Sequence, residues 1–130
     1  MKVLVDSTVW IDFLRNVKNR QTACLEELIV AEADLCVCGF VLTEVLQGIR
    51  DERQYSQVKR GLDNLIYLDS DKTTFELAAT IYRELRKQEV TIRNSIDCLI
   101  ASTVIQHGVH LLDKDRDYEH IDQHYPLNRI

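Results

Sequence analysis

Apolar and polar positions along the chain follow two alternating spacings. At the start, Val3, Leu4 and Val5 run together between Lys2 and Asp6, which predicts a short strand buried on both faces, as in a parallel sheet covered by helices. Val9, Trp10, Phe13 and Leu14 then recur at helical spacing behind Ser7 and Thr8, two hydroxyl residues suited to capping that helix. A second helix is predicted over 21–33, with Leu25, Leu28 and Ile29 on one face, followed by a strand over 35–38. Residues 41–46 open another helix that Gly48 interrupts or ends, and a more polar helix covers 52–64 with Tyr55, Val58 and Leu62 along one side. A third strand at 66–68 leads to the most regular helix, 73–89, where Phe75, Ala78, Ala79, Tyr82 and Leu85 repeat every three or four positions. After a break at 90–93, a helix over 94–107 carries Ile96, Leu99, Ile100, Ala101, Val104 and Ile105, enough apolar residues to make it central and largely buried. Asn94 is its predicted cap, and Asp97 stands where a capping acid would. Gly108 ends it. A fourth strand covers 109–112, a short helix 115–121, and the tail 124–130 reads as an edge strand.

Strand and helix alternate throughout, so the pattern predicts an α/β fold with a mainly parallel sheet, helices on both sides and right-handed crossovers. Neither a repeat nor a linker divides the 130 residues, which read as one domain, 1–130. With 45% apolar and 28% charged residues the composition is that of an ordinary globule. No signal-peptide core precedes the first charges and no 18 apolar residues run together, so the chain is expected in the cytoplasm with no membrane span. Cys24, Cys36, Cys38 and Cys98 lack the paired spacings of a zinc site and are expected to be buried, inert thiols. A net charge of −5 excludes a protein that coats nucleic acid by bulk electrostatics.

Placed on these elements, four acids fall in matching positions: Asp6 after the first strand, Glu44 just after the second, Asp97 in the first turn of the buried helix, and Asp115 after the fourth strand. In an open parallel sheet such positions share the carboxyl edge, where ligands gather. Ending a doubly buried strand on an acid is costly without a partner. Clustered, desolvated carboxylates repel one another and require protons or cations to neutralise them. A ligand set of oxygens alone suits Mg²⁺ or Mn²⁺, and an ion of that kind can promote phosphodiester hydrolysis.

The opening Val-Asp-Ser-Thr-Val-Trp-Ile-Asp-Phe-Leu, the Leu42-Thr43-Glu44-Val45 block, Asp97-Cys98-Leu99-Ile100-Ala101-Ser102 and Leu112-Asp113-Lys114-Asp115-Arg116-Asp117-Tyr118 together resemble the PIN-domain nucleases, in particular the compact VapC-type toxins of toxin–antitoxin pairs. The resemblance covers essentially the whole chain. It implies a three-layer α/β/α sandwich and a Mg²⁺-dependent endoribonuclease in which Asp6, Glu44, Asp97 and Asp115 are the metal-binding and catalytic acids, Asp117 a further metal ligand, and a hydroxyl at Ser7 or Thr8 a support to the site. Its implied partners are an RNA substrate, a cognate antitoxin protein and a second copy of the chain in a homodimer.

Two departures from that pattern stand out. A threonine or serine is usual where Asp113 stands, so three acids crowd into five residues; Asp115 is the preferred fourth ligand, followed by Asp117. Tyr118 replaces the usual Phe. Candidates to escort RNA to the acids are Arg15, Lys18, Arg20, Arg50, Arg53, Arg86, Lys87, Arg93, Lys114 and Arg116. Other readings are a PIN-like interaction module without activity, or an RNA-processing nuclease that is not a toxin. A phosphoaspartate phosphatase would want an acid two residues after Asp6, where Thr8 stands.

Overall fold

The computed structural model describes residues 1–130. In chain order the elements are β1 (Lys2–Val5), α1 (Ser7–Leu14), α2 (Arg20–Val30), β2 (Asp34–Cys38), α3 (Gly39–Gln47), α4 (Glu52–Asp63), β3 (Ile66–Leu68), α5 (Lys72–Lys87), α6 (Ser95–His107), β4 (His110–Leu112) and α7 (Arg116–Asp122). The four strands pair in the order β3-β2-β1-β4, and every pairing is parallel. The apolar run Val3 to Val5 occupies one of the two inner positions and is fully buried, as a strand covered on both faces must be.

Connectivity explains the layers. The steps from β1 to β2 and from β2 to β3 go the same way across the sheet, whereas the step from β3 to β4 returns past both to the opposite edge. Right-handed crossovers therefore carry α1 to α4 over one face and α5 and α6 over the other, giving the α/β/α sandwich. One buried cluster includes Val9 and Leu25 from the first layer and Ile81, Leu85 and Ile100 from the second, with the sheet between them.

Between β1 and β4 the direction of winding reverses. Val5 is in register with Leu112, and the Asp6 amide donates to the Leu112 carbonyl at 2.9 Å. The residues that follow the two strands thus open side by side at a topological switch point, where an open parallel sheet leaves a crevice beyond its strand ends.

Several element ends differ from the sequence reading. The N-cap of α1 is Asp6 itself, and Ser7 and Thr8 are the first helical residues. Helix α3 begins at Gly39, and α7 begins at Arg116 with Asp115 as its cap. The tail makes a single parallel bridge, Leu111 to Arg129, in place of an edge strand. Pro126 has no amide to donate and Asn128 adopts φ 49°, so the extended run is broken on both sides of Leu127. Gly108 ends α6 in the left-handed region at φ 64°. No helix is long and apolar enough to cross a membrane.

Candidate active site

Asp6 is 2% exposed at the tip of β1, and both its oxygens are engaged. Oδ1 accepts from the Tyr118 hydroxyl at 2.8 Å, and Oδ2 accepts from the Thr8 hydroxyl at 2.5 Å and the Thr8 amide at 3.3 Å. A carboxylate ending a buried strand thus finds the donors that its desolvation demands. Tyr118 is completely buried, and its phenol is pushed well above the ordinary value by that burial and then by the Asp6 charge. The hydroxyl therefore stays protonated and keeps donating.

Opposite Asp6, the first turn of α6 meets the start of α7. Asn94 caps α6 through its side chain, which accepts from the Ile96 amide at 3.0 Å. Asp97 does not make the reciprocal capping bond that its position suggested; its carboxyl joins Asp115 and Asp117, with one oxygen from each of the three within 4.8 Å of the others. Asp115 turns inward because it caps α7, accepting the Asp117 amide at 2.9 Å. The crowding pushes Asp97 up to about 8, first through burial and then through the charges of Asp115, Asp6 and Asp117. A proton on Asp97 relieves the repulsion in the metal-free protein. Arg93 relieves it further, its guanidinium reaching Asp115 at 3.1 Å and Asp117 at 3.7 Å. Three oxygen donors from two elements, with a cation already resting on two of them, fit a hard divalent ion.

Asp113, the acid in excess of the expected pattern, is 2% exposed and sits in a fork formed by Arg129, whose Nε and Nη2 donate to its two oxygens at 2.8 Å each. Burial holds the Asp113 carboxyl above its ordinary value, and the two-point guanidinium contact offsets that only in part. The two candidates favoured for the last ligand, Asp115 and Asp117, are both in the trio, and Asp113 is not. Neither Arg129 nor the Asp113 pairing was visible in local sequence. The only available signal was the surplus acid itself, which once buried needs a partner.

Glu44 lies half-buried in α3. Ser7 Oγ donates to its Oε1 at 2.9 Å, so the two hydroxyls after Asp6 divide their work, Ser7 holding Glu44 and Thr8 holding Asp6. Cys38, at the end of β2, is raised by burial and also by the charges of both Asp6 and Glu44, which places the two acids around the same strand end. The structure therefore brings together Asp97, Asp115 and Asp117 tightly, sets Asp6 electrostatically against Asp97, and leaves Glu44 on the β2 side, tied to the site through Ser7. Lys114 is taken up by Asp12 of α1, an ion pair that the sequence pattern did not suggest and that holds Asp12 below its ordinary value. All four cysteines are free thiols; Cys24 is half-buried, unlike the other three. Cys98, beside Asp97, is pushed up to about 11 by burial and then by the Asp97 charge, as an inert thiol should be.

With this geometry established, comparison with known proteins gives concordant results. The PIN domain profile matches residues 3–123. The VapC ribonuclease Mb1587 of Mycobacterium bovis is 30% identical over 119 residues, covering 90% of this chain and 89% of that protein. Among solved structures, VapBC-1 from nontypeable Haemophilus influenzae superposes with a TM-score of 0.76 at 16% identity, covering 100% of this chain and 97% of that one. A toxin–antitoxin complex from Klebsiella pneumoniae superposes at 0.74 with 16% identity, covering 98% and 95%.

Proposed function

The chain belongs to the PIN-domain family, and on that premise we propose that it is a metal-dependent endoribonuclease hydrolysing RNA phosphodiester bonds as the toxin of a toxin–antitoxin pair. The observation that carries this reading is the convergence of Asp97, Asp115 and Asp117 within 4.8 Å beside Asp6, at the switch point of a parallel sheet. Asp97, Asp115 and Asp117 would hold the ion, with Asp6 and Glu44 completing the anionic rim. Mg²⁺, with Mn²⁺ as substitute, is the ion that an all-oxygen donor set favours. When bound, it supplies Lewis-acid polarisation of the phosphoryl group and activation of water.

This chain's own residues prepare the site. Thr8 and Tyr118 fix both oxygens of Asp6, so its carboxylate plane does not rotate when charge develops nearby. Ser7 fixes Glu44 by donating to Oε1. Asp97 is pushed up to about 8 in the metal-free chain, and it would have to release its proton to serve as a ligand when the ion is bound. Basic side chains near the edge contact phosphates and position RNA without reading its sequence. Because the protein as a whole carries −5, these contacts are local and the substrate is held at few points.

The partners follow from the same family reading: RNA as substrate, a cognate antitoxin protein as inhibitor, and a second copy in a homodimer, with residues 1–130 acting as one unit in the cytoplasm. The decisive experiment is cleavage of a structured RNA by purified chain with Mg²⁺, with Mn²⁺, and with excess chelator. Cleavage is expected with either ion and absent with chelator. Undiminished cleavage in chelator would overturn the metal-dependent reading.

A further inference from the structure

Three arginines stand close to the acids, and the structure treats them differently. Arg129 is locked to Asp113 by a two-point fork, and its side chain is only 24% exposed. Arg116, between Asp115 and Asp117 in sequence, makes no ion pair. Arg93 touches one oxygen on each of two candidate ligands, at 3.1 Å to Asp115 and 3.7 Å to Asp117, while its side chain remains 74% exposed. Lys114, the other nearby cation, is engaged by Asp12. Arg93 is thus the basic side chain that reaches the trio, and it reaches it loosely.

We propose that the Arg93 guanidinium is a built-in counter-ion of the metal site, seated on Asp115 and Asp117 until a divalent ion displaces it. The inference rests on the reading of the trio as a metal site. Asp115 Oδ1 accepts from Arg93 Nη2, and Asp117 Oδ2 faces Arg93 Nε. An ion held by the trio would draw on the same carboxylates, so guanidinium and dication would compete. The contacts are long, split between two acids and open to solvent, so breaking them costs little. An arginine contributing mainly to stability would be expected to resemble Arg129, with a bidentate grip and its side chain largely buried. The backbone amide of Arg93 donates to Asp117 Oδ2 at 3.2 Å, anchoring the residue at the site through its main chain. The displaced guanidinium therefore stays at the mouth of the site as an exposed cation.

The test is calorimetric titration of Mn²⁺ alone into metal-free wild type, Arg93→Gln, Arg116→Gln and Asp117→Asn, with circular dichroism melting to confirm folding. Arg93→Gln is expected to bind Mn²⁺ about 1.5- to 5-fold more tightly, the scale of losing one exposed ion pair. Arg116→Gln should change affinity little, and Asp117→Asn should weaken it. In ¹H–¹⁵N spectra the Arg93 Nε–H resonance should move toward that of a free arginine as diamagnetic Mg²⁺ is added. Equal affinity in wild type and Arg93→Gln would overturn the proposal while leaving the metal site standing. Tightening by Arg116→Gln as large as by Arg93→Gln would replace it with a general field effect. Failure of every protein to bind Mn²⁺ would remove the metal reading and this inference with it.

Discussion

Tyr118 and Asp6, separated by 112 positions, share a buried hydrogen bond of 2.8 Å that ties the start of α7 to the tip of β1. The bond depends on the phenol, which gives a desolvated carboxylate a donor that a Phe cannot provide. Tyr118→Phe keeps the shape and removes only that donor. It should destabilise the metal-free protein by about 1–3 kcal/mol, the cost of leaving a buried acceptor unpaired, and the loss should shrink once a divalent ion neutralises the site. Urea unfolding with and without Mg²⁺ measures both. An unchanged midpoint in the metal-free protein would show that Asp6 does not depend on Tyr118.

Arg129 is the charge partner of buried Asp113, so removing it should leave a buried acid unpaired. Arg129→Ala is expected to cost about 2–4 kcal/mol, toward the lower end of the range for broken buried pairs because the arginine keeps some solvent contact. Asp113→Thr combined with Arg129→Met should recover most of that loss, since neither charge then needs a partner. Thermal melts of the three proteins decide it; a double variant no better than Arg129→Ala would mean that the tail is held by something other than this pair.

Stability without metal should depend on pH through Asp97. Its carboxyl titrates near 8 in the folded chain, raised chiefly by burial, and near 4 when unfolded. Between those values the native state retains a proton that the unfolded chain has released, so stability from this group is full below about pH 4 and falls as pH rises toward 8. Asp97→Asn cannot titrate. The stability difference between wild type and Asp97→Asn should therefore shift against wild type from pH 5 to pH 8 in chelator. Parallel stability curves for the two proteins would contradict the desolvated position of Asp97.

Growth arrest should require the trio. Because Asp97 makes no capping bond to Asn94, its replacement spares the α6 cap, and Asp97→Ala should fold while losing activity by about 100-fold or more, the scale on which removing one charge-stabilising group slows an enzyme. Expressed without a partner, the wild-type chain should stop host growth, Asp97→Ala at equal abundance should not, and a cognate antitoxin should restore growth. Arrest by Asp97→Ala as strong as by wild type would assign the toxicity to an interaction other than catalysis.

Much of this protein could be read along the chain. The run Val3 to Val5 and the helical repeat from Phe75 to Leu85 are local patterns of burial, and local patterns fix which elements form. The acids Asp6, Glu44, Asp97 and Asp115 could be placed at element ends because parallel strands present those ends on one edge. What a sequence window does not contain is the partner of a buried charge. Whether Asp97 would cap its own helix or turn to α7, and which of three crowded acids would leave the site, depended on groups far away in the chain. Arg129 grips Asp113 across 16 positions, Arg93 meets Asp115 across 22, and Tyr118 meets Asp6 across 112. Desolvation makes partners compulsory for the buried Asp6 and Asp113, whereas the Arg93 contact stays open to solvent, and only the packing of α6, α7 and the tail against the β1 and β4 ends decides who the partners are.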